Sequence, residues 1–279
     1  MTNPIAEPFV ENVLSSDVEA APVRLDVTPE GVAYVTLTKP EKRNAFDAAT
    51  ILALTEVFET LKGAEHVRAV FLRGDGGVFS AGADLQWMRD AADRTEADNR
   101  EDALTMAAMF KRLHDIPALT VALIEGAAMG GGAGMAAACD IAIAVAGAKF
   151  SFSEVRLGLL PAGISPYVLR AIGPRHAKAL FATGRVFDAA HAERIGLVHE
   201  VVADEAALIA AQERLIDEIM ACAPGAVAES KKLVDDLFGR EIDHSVMEDT
   251  ARRLARRRVS DEGREGVAAF LERRKPNWA

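Results

Sequence analysis

The chain has 279 residues, half of them apolar and 27% charged, with a formal net charge of −10. That length and apolar share suffice for one sizeable core with a smaller appendage, and no apolar run is long enough to read as a membrane span. The acidic balance excludes a nucleic-acid-binding face, which needs clustered basic side chains, and two cysteines are too few for a disulfide framework, so Cys139 and Cys222 read as buried, reduced thiols of a cytoplasmic protein.

Residues 1–21 are acidic, with neither a basic leader nor a continuous apolar stretch, and read as a flexible extension rather than a targeting signal. Phe9, Val10, Val13 and Leu14 leave a docking helix as the alternative. From Val23 the pattern turns to short β-like runs, and VRLDV and VAYVTLT around Pro29-Glu30-Gly31 predict a hairpin. Asp47 is placed to cap a helix whose apolar face is Ile51, Leu52, Leu54, Val57, Phe58 and Leu61. Residues 67–74 and 118–126 read as strands separated by a helix over 97–115; a helix over 133–140 and two short strands follow. This alternation argues an α/β fold with a buried, largely parallel sheet. After about residue 165 the strand signals fade, and successive helices are jointed at Gly173, Gly184, Gly196 and Pro224. The expected division is the extension 1–21, an α/β core 22–215 and a helical region 216–279.

Two loops carry chemistry. Gly130 to Gly132 stand between the apolar run ending at Ile124 and a run of small residues, so they open a helix whose first N–H groups have no intrahelical partner and lie at the positive end of its dipole. FSAGADL, Phe79 to Leu85, follows another strand and turns outward in the same way. Two such donors facing one point would hold a negative oxygen. Tight helix packing is the other reading of the three glycines. Glu154 lies among Phe150, Phe152, Leu157, Leu159 and Leu160, which would desolvate its carboxyl and raise its pKa toward acid/base use; an ion pair with Arg156 or Arg170 is the alternative. The six histidines, His66, His114, His176, His191, His199 and His244, show no metal-ligand spacing, and no metal is expected.

KRNAF, FSAGADL, AMGGGAG…CD, SEVRLGLLPAG and EGVAAFLERRKP, in this order, resemble the crotonase (enoyl-CoA hydratase/isomerase) superfamily from about Val23 onward. The detail in GADLQWM and SEVRLGLLPAGISPYV is similar to bacterial hydratases of methylglutaconyl-type thioesters. The resemblance implies a spiral of ββα units with a helical C-terminal oligomerisation region, trimers or dimers of trimers, an acyl-CoA thioester substrate and no separate cofactor. It also implies that the backbone N–H groups of Ala83 and Gly131 hold the thioester oxygen while Glu154 moves the proton. Lys42, Arg43 and Ala45 match a loop lining the nucleotide of CoA; Ala81, Asp84, Leu85 and Gln86 flank the donor loop; Phe270, Arg273 and Lys275 match a C-terminal helix reaching CoA of the same or a neighbouring subunit. Asp84 also suits a helix cap, and Trp87 and Met88 could wall the acyl pocket or belong to the core.

The hydratases of this superfamily carry a second glutamate where this chain has Gly134. Three readings follow: a hydratase using Glu154 alone or with help from a substrate carboxylate or water, an isomerase shuttling one proton between Cα and Cγ, or other thioester chemistry. A nucleotide-binding dehydrogenase is a different class, since Gly132-Ala133-Gly134-Met135-Ala136-Ala137 fits a relaxed GxGxxA fingerprint, although Gly126 to Gly131 separate it from its strand. A non-catalytic binding protein on the same fold is a further alternative.

Overall fold

The computed structural model describes residues 21–279, so the extension expected over 1–21 lies, but for its last residue, outside the described residues. Strands β1 (Val23–Val27) and β2 (Val32–Leu37) form the expected antiparallel hairpin. From β2 the chain repeats one plan, in which a strand of a large sheet leads to a short extended segment of a second layer and then to a helix.

The first turn is β2, Phe46 and α1 (Ala48–Gly63). The second is β3 (Ala69–Gly74), the segment 80–83, α2 (Leu85–Ala92) and α3 (Glu96–His114). The third is β4 (Leu119–Ile124), β5 (Ala127–Met129) and α4 (Gly131–Ala138). The fourth is β6 (Ile141–Val145), β7 (Lys149–Ser151) and α5 (Ser165–Thr183), broken at Gly173 before Pro174. Then come β8 (Phe187–Asp188), α6 (Ala189–Arg194), β9 (Glu200–Val202), α7 (Glu205–Met220), α8 (Pro224–Leu237), α9 (His244–Arg258) and α10 (Asp261–Glu272).

The large sheet runs β1-β2-β3-β4-β6-β9, parallel beyond the hairpin; the second layer is β5-β7-β8, continued by single bridges Ser80 to Ala128 and Phe46 to Ala83. One face of the large sheet packs Val35, Val70, Leu72 and Ala122 with Phe58, Phe79, Phe110 and Phe150. The other buries Phe71, Val121, Leu123 and Ile143 against Leu208, Ala211, Leu215 and Ile219 of α7. With both faces covered, the strands read as continuous apolar runs, each buried side chain worth about 1.5–3 kcal/mol.

Asp47 caps α1 by accepting from Thr50 N–H at 2.9 Å, as expected. Leu52 does not belong to the apolar face: it is 56% exposed, and Ile51, Leu54, Phe58 and Leu61 face inward. The region after residue 165 is not wholly helical, because β8 extends the second layer and β9 adds the last parallel strand to the large sheet. Strands of two and three residues are too short to show alternation. The expected boundary at residue 215 falls inside α7, whose Leu208 and Ile219 share one core. Cys222 is exposed rather than buried, whereas burial pushes the Cys139 thiol far above its ordinary range.

Candidate active site

The site forms where the second layer passes into its helices. Ser80 N–H donates to Ala127 O at 2.9 Å and Met129 N–H to Ser80 O at 3.0 Å, so the two donor loops lie side by side. A Cβ on Gly82 would lie 2.8 Å from Met129 O, a close approach only glycine permits. Phe46 pairs with the first loop through its own N–H to Gly82 O, 2.7 Å, and its O from Asp84 N–H, 2.9 Å, bracketing Ala83. Among the described residues neither Ala83 N–H nor Gly131 N–H has a protein acceptor; both remain available to a ligand oxygen.

Each of the three consecutive glycines meets a different neighbour. Gly130 has φ +48°, and a Cβ there would stand 3.0 Å from Glu154 Oε1; one on Gly131 would stand 3.0 Å from the Phe46 ring, and one on Gly132 2.8 Å from Ser80 Cβ. Tight packing and anion binding are thus the same device: glycines let Glu154, Phe46 and Ser80 close around the start of α4.

Glu154 follows β7 in a single 3₁₀ turn over Glu154–Leu157, with its carboxylate against Gly130. Its Oε2 is buried without a hydrogen-bond partner, and burial raises its pKa above the ordinary carboxyl value. Leu157, Leu159 and Leu160, expected to desolvate it, are all exposed, whereas Phe150 and Phe152 are buried and the carboxylate lies against Gly130. Nor does either arginine pair with it, since Arg170 faces Asp235 and the Arg156 stem lies over Gly184.

Gly134, one helical turn inside α4, is buried beneath Ile164. A Cβ at 134 would overlap Ile164 Cγ2 and stand 2.6 Å from Ile164 Cβ, and Ile164 itself is 3% exposed. An aliphatic side chain therefore occupies the space that the root of any side chain at position 134 would need.

The other sequence-selected residues divide. Asp84 is the N-cap of α2, accepting from Gln86 N–H at 2.8 Å and Trp87 N–H at 3.0 Å. Ala81 N–H is committed to Arg43 O at 2.9 Å, Leu85 is exposed, and the Gln86 amide bonds to Asp90 on the outside of α2. Lys42 and Arg43 are exposed beside the donor loop while the Ala45 side chain is buried. Phe270, Arg273 and Lys275 lie on α10 and the turn after it; α10 packs on α9, apart from the elements holding Glu154, and Phe270 is 81% exposed.

Two buried polar residues escaped the sequence reading. Asn44, in a left-handed conformation, donates to Asp75 O at 2.9 Å and Val78 O at 2.6 Å and accepts from Lys39 N–H at 3.0 Å. Ser80 Oγ donates to Asn44 O at 2.9 Å and accepts from Gly82 N–H at 3.2 Å. Together they fix the Lys42–Arg43 loop to the Ala83 loop. Asn44 within KRNAF was the available signal, because asparagine tolerates positive φ.

The strand-to-helix passage at the glycines is interrupted by β5, so the dinucleotide fingerprint lacks its required context. A sequence model of the enoyl-CoA hydratase/isomerase family matches residues 27–279. The chain belongs to the enoyl-CoA hydratase/isomerase family. An enoyl-CoA hydratase of Alternaria alternata is 33% identical over 247 residues, 88% of this chain and 80% of that protein. The solved enoyl-CoA hydratase of Shewanella pealeana superposes with a TM-score of 0.88 at 39% identity, covering 92% of this chain and 96% of that one. AtuE of Pseudomonas aeruginosa gives 0.88 at 38%, with 92% and 99% covered. The α/β crotonase fold with its helical C-terminal region is thus shared with these solved structures, and the chain is an acyl-CoA-processing enzyme of the enoyl-CoA hydratase/isomerase family. Among the described residues no helix is long and apolar enough to cross a membrane.

Proposed function

We propose that this enzyme hydrates an enoyl-CoA thioester with Glu154 as its only acid/base. The observation that carries the reading is the Glu154 carboxylate, unpartnered at Oε2 and lying against Gly130, where the adjoining loops carry the free N–H groups of Gly131 and Ala83. In this reaction Glu154 takes a proton from water as its oxygen adds to Cβ. The displaced double-bond electrons move onto the thioester oxygen, where two N–H donors hold the charge. Protonated Glu154 then returns its proton to Cα, and the raised pKa suits a group that must both accept and donate.

A branched glutaconyl-type thioester is the first substrate to try, supported by the GADLQWM and SEVRLGLLPAGISPYV stretches and by the buried, unpartnered indole N–H of Trp87, which could serve a polar acyl substituent. Lys42 and Arg43 would meet the CoA phosphates, with Phe270, Arg273 and Lys275 approaching from a neighbouring subunit of a trimer or dimer of trimers; exposed Val267, Phe270 and Leu271 on α10 support such docking. Two free cysteines suit a cytoplasmic setting.

Ile164 beneath Gly134 favours a second reading, isomerisation, because proton transfer from Cα to Cγ needs one carboxylate and no oriented water. Incubation with a panel of enoyl-CoA thioesters, read by mass for water and by NMR for double-bond position, separates the two. Gain of one water on a 2-enoyl substrate supports hydration; unchanged mass with a shifted double bond from a 3-enoyl substrate supports isomerisation and overturns the first reading.

A further inference from the structure

A second cluster of charge lies outside the Glu154 site. Lys149 at the start of β7, Arg185 and Asp188 around β8, and His191 and Arg194 on α6 line a shallow cavity of about 360 Å³ with Val186 and Phe187. In a chain of net charge −10 this cavity gathers three cations around one carboxylate. Among the described residues none of Lys149, Arg185 and Arg194 is in a salt bridge.

The imidazole of His191 shows what is missing. It packs edge-on to Phe187, with ring centroids 5.4 Å apart, which fixes its plane. Arg194 Nη2 stands 3.1 Å from its Nδ1 and Arg185 Nη2 3.5 Å from its Nε2. A neutral imidazole accepts at one nitrogen and donates at the other. One ring nitrogen therefore presents N–H to a guanidinium, donor against donor. Asp188 Oδ1 accepts from the His191 backbone N–H at 2.8 Å, and among the described residues no hydrogen bond joins its carboxylate to the ring.

We propose that Lys149, Arg185, His191 and Arg194 form a binding site for a phosphate-type oxyanion, separate from the acyl-CoA site. A tetrahedral oxyanion has enough acceptor oxygens to take both guanidinium forks and the spare imidazole N–H at once, and its charge offsets the excess cation. The His191 pKa is lowered by burial first and then by Arg185, Arg194 and His176, against an opposing pull from Asp188. A bound anion reverses the repulsion, so binding raises that pKa. The same phosphate chemistry could come from inorganic phosphate or from the phosphomonoester of a nucleotide.

Calorimetric titration of the full-length protein with inorganic phosphate, and separately with adenosine 3′,5′-bisphosphate, tests the site, using chloride at matched ionic strength as the control. The expected result is saturable phosphate binding at one site per chain, with the His191 ring resonances titrating at higher pH. The Arg185→Gln/Arg194→Gln variant should lose affinity by about 10-fold or more. Both arginines are exposed, so the fold should survive; Lys149→Gln offers an independent, smaller loss. Nucleotide binding that disappears together with phosphate binding in the double variant identifies a nucleotide source. Nucleotide binding that persists while phosphate binding is lost identifies free phosphate. Phosphate acting no more strongly than chloride, or binding unchanged in the double variant, overturns the proposal. So does a double variant that alters only the mass of the assembly. None of these readouts depends on turnover.

Discussion

The side chain of Ile164 fills the volume that a side chain at position 134 would need, with a Gly134 Cβ placed 2.6 Å from Ile164 Cβ. Two residues thirty positions apart therefore act as one choice. Gly134→Glu alone must displace a buried isoleucine and seat a carboxylate in an apolar space, with a cost above the ~1–3 kcal/mol of ordinary overpacking. Pairing it with Ile164→Gly should recover most of the lost thermal stability. Melting curves of both variants check this, and equal destabilisation in the two would remove Ile164 as the cause.

Glu154→Gln preserves shape but cannot exchange a proton. Turnover should fall by about 10²-fold or more while acyl-CoA binding persists. Steady-state kinetics beside a binding titration read the two separately. Turnover near that of the parent enzyme would take Glu154 out of the mechanism.

The same variant has a stability signature. Burial raises the Glu154 pKa, so over the window between its ordinary and raised values the folded state keeps a proton that the unfolded chain has released. Stability contributed by the neutral carboxyl is then lost as pH rises through that window. Glu154→Gln should consequently melt higher than the parent at neutral pH. The difference should vanish below the ordinary carboxyl range, and a gap independent of pH would contradict this account.

Gly131→Val would drive a branched side chain into the Phe46 ring, already 3.0 Å from a bare Cβ. The displaced N–H should cost on the order of 10²-fold in turnover. Circular dichroism should remain that of the folded parent. Loss of the folded spectrum would assign Gly131 to packing alone.

Asn44→Ala would leave Lys39 N–H, Asp75 O and Val78 O without their partner and place alanine at positive φ. Roughly 1–3 kcal/mol of stability should be lost for the unsatisfied groups. KM for the thioester should rise as well, because Asn44 ties the Lys42–Arg43 loop to the donor loop. Urea unfolding and kinetics together test the link; lower stability with unchanged KM would break it.

What the sequence disclosed was local. The hairpin around Pro29, the Asp47 cap, the apolar runs of β3 and β4 and the glycines before α4 all declare themselves within a few residues. The Ile164 and Gly134 overlap could not, since only the folded α4 and the start of α5 bring the two together. The same holds for Glu154: its neighbouring leucines are exposed, and its carboxylate lies against Gly130, more than twenty residues earlier. Strands β8 and β9 were invisible because so few residues carry no period. The absence of a second glutamate was plain from the residue itself. What had replaced it was not.

Phe46 is joined by its backbone to one donor loop and by its ring to the other. One residue thus touches both donor loops, and a shift of either loop is felt by the other through Phe46 as well as through the direct Ser80 bonds. The two N–H groups belong to one packed unit, which readies the pair before an oxygen arrives.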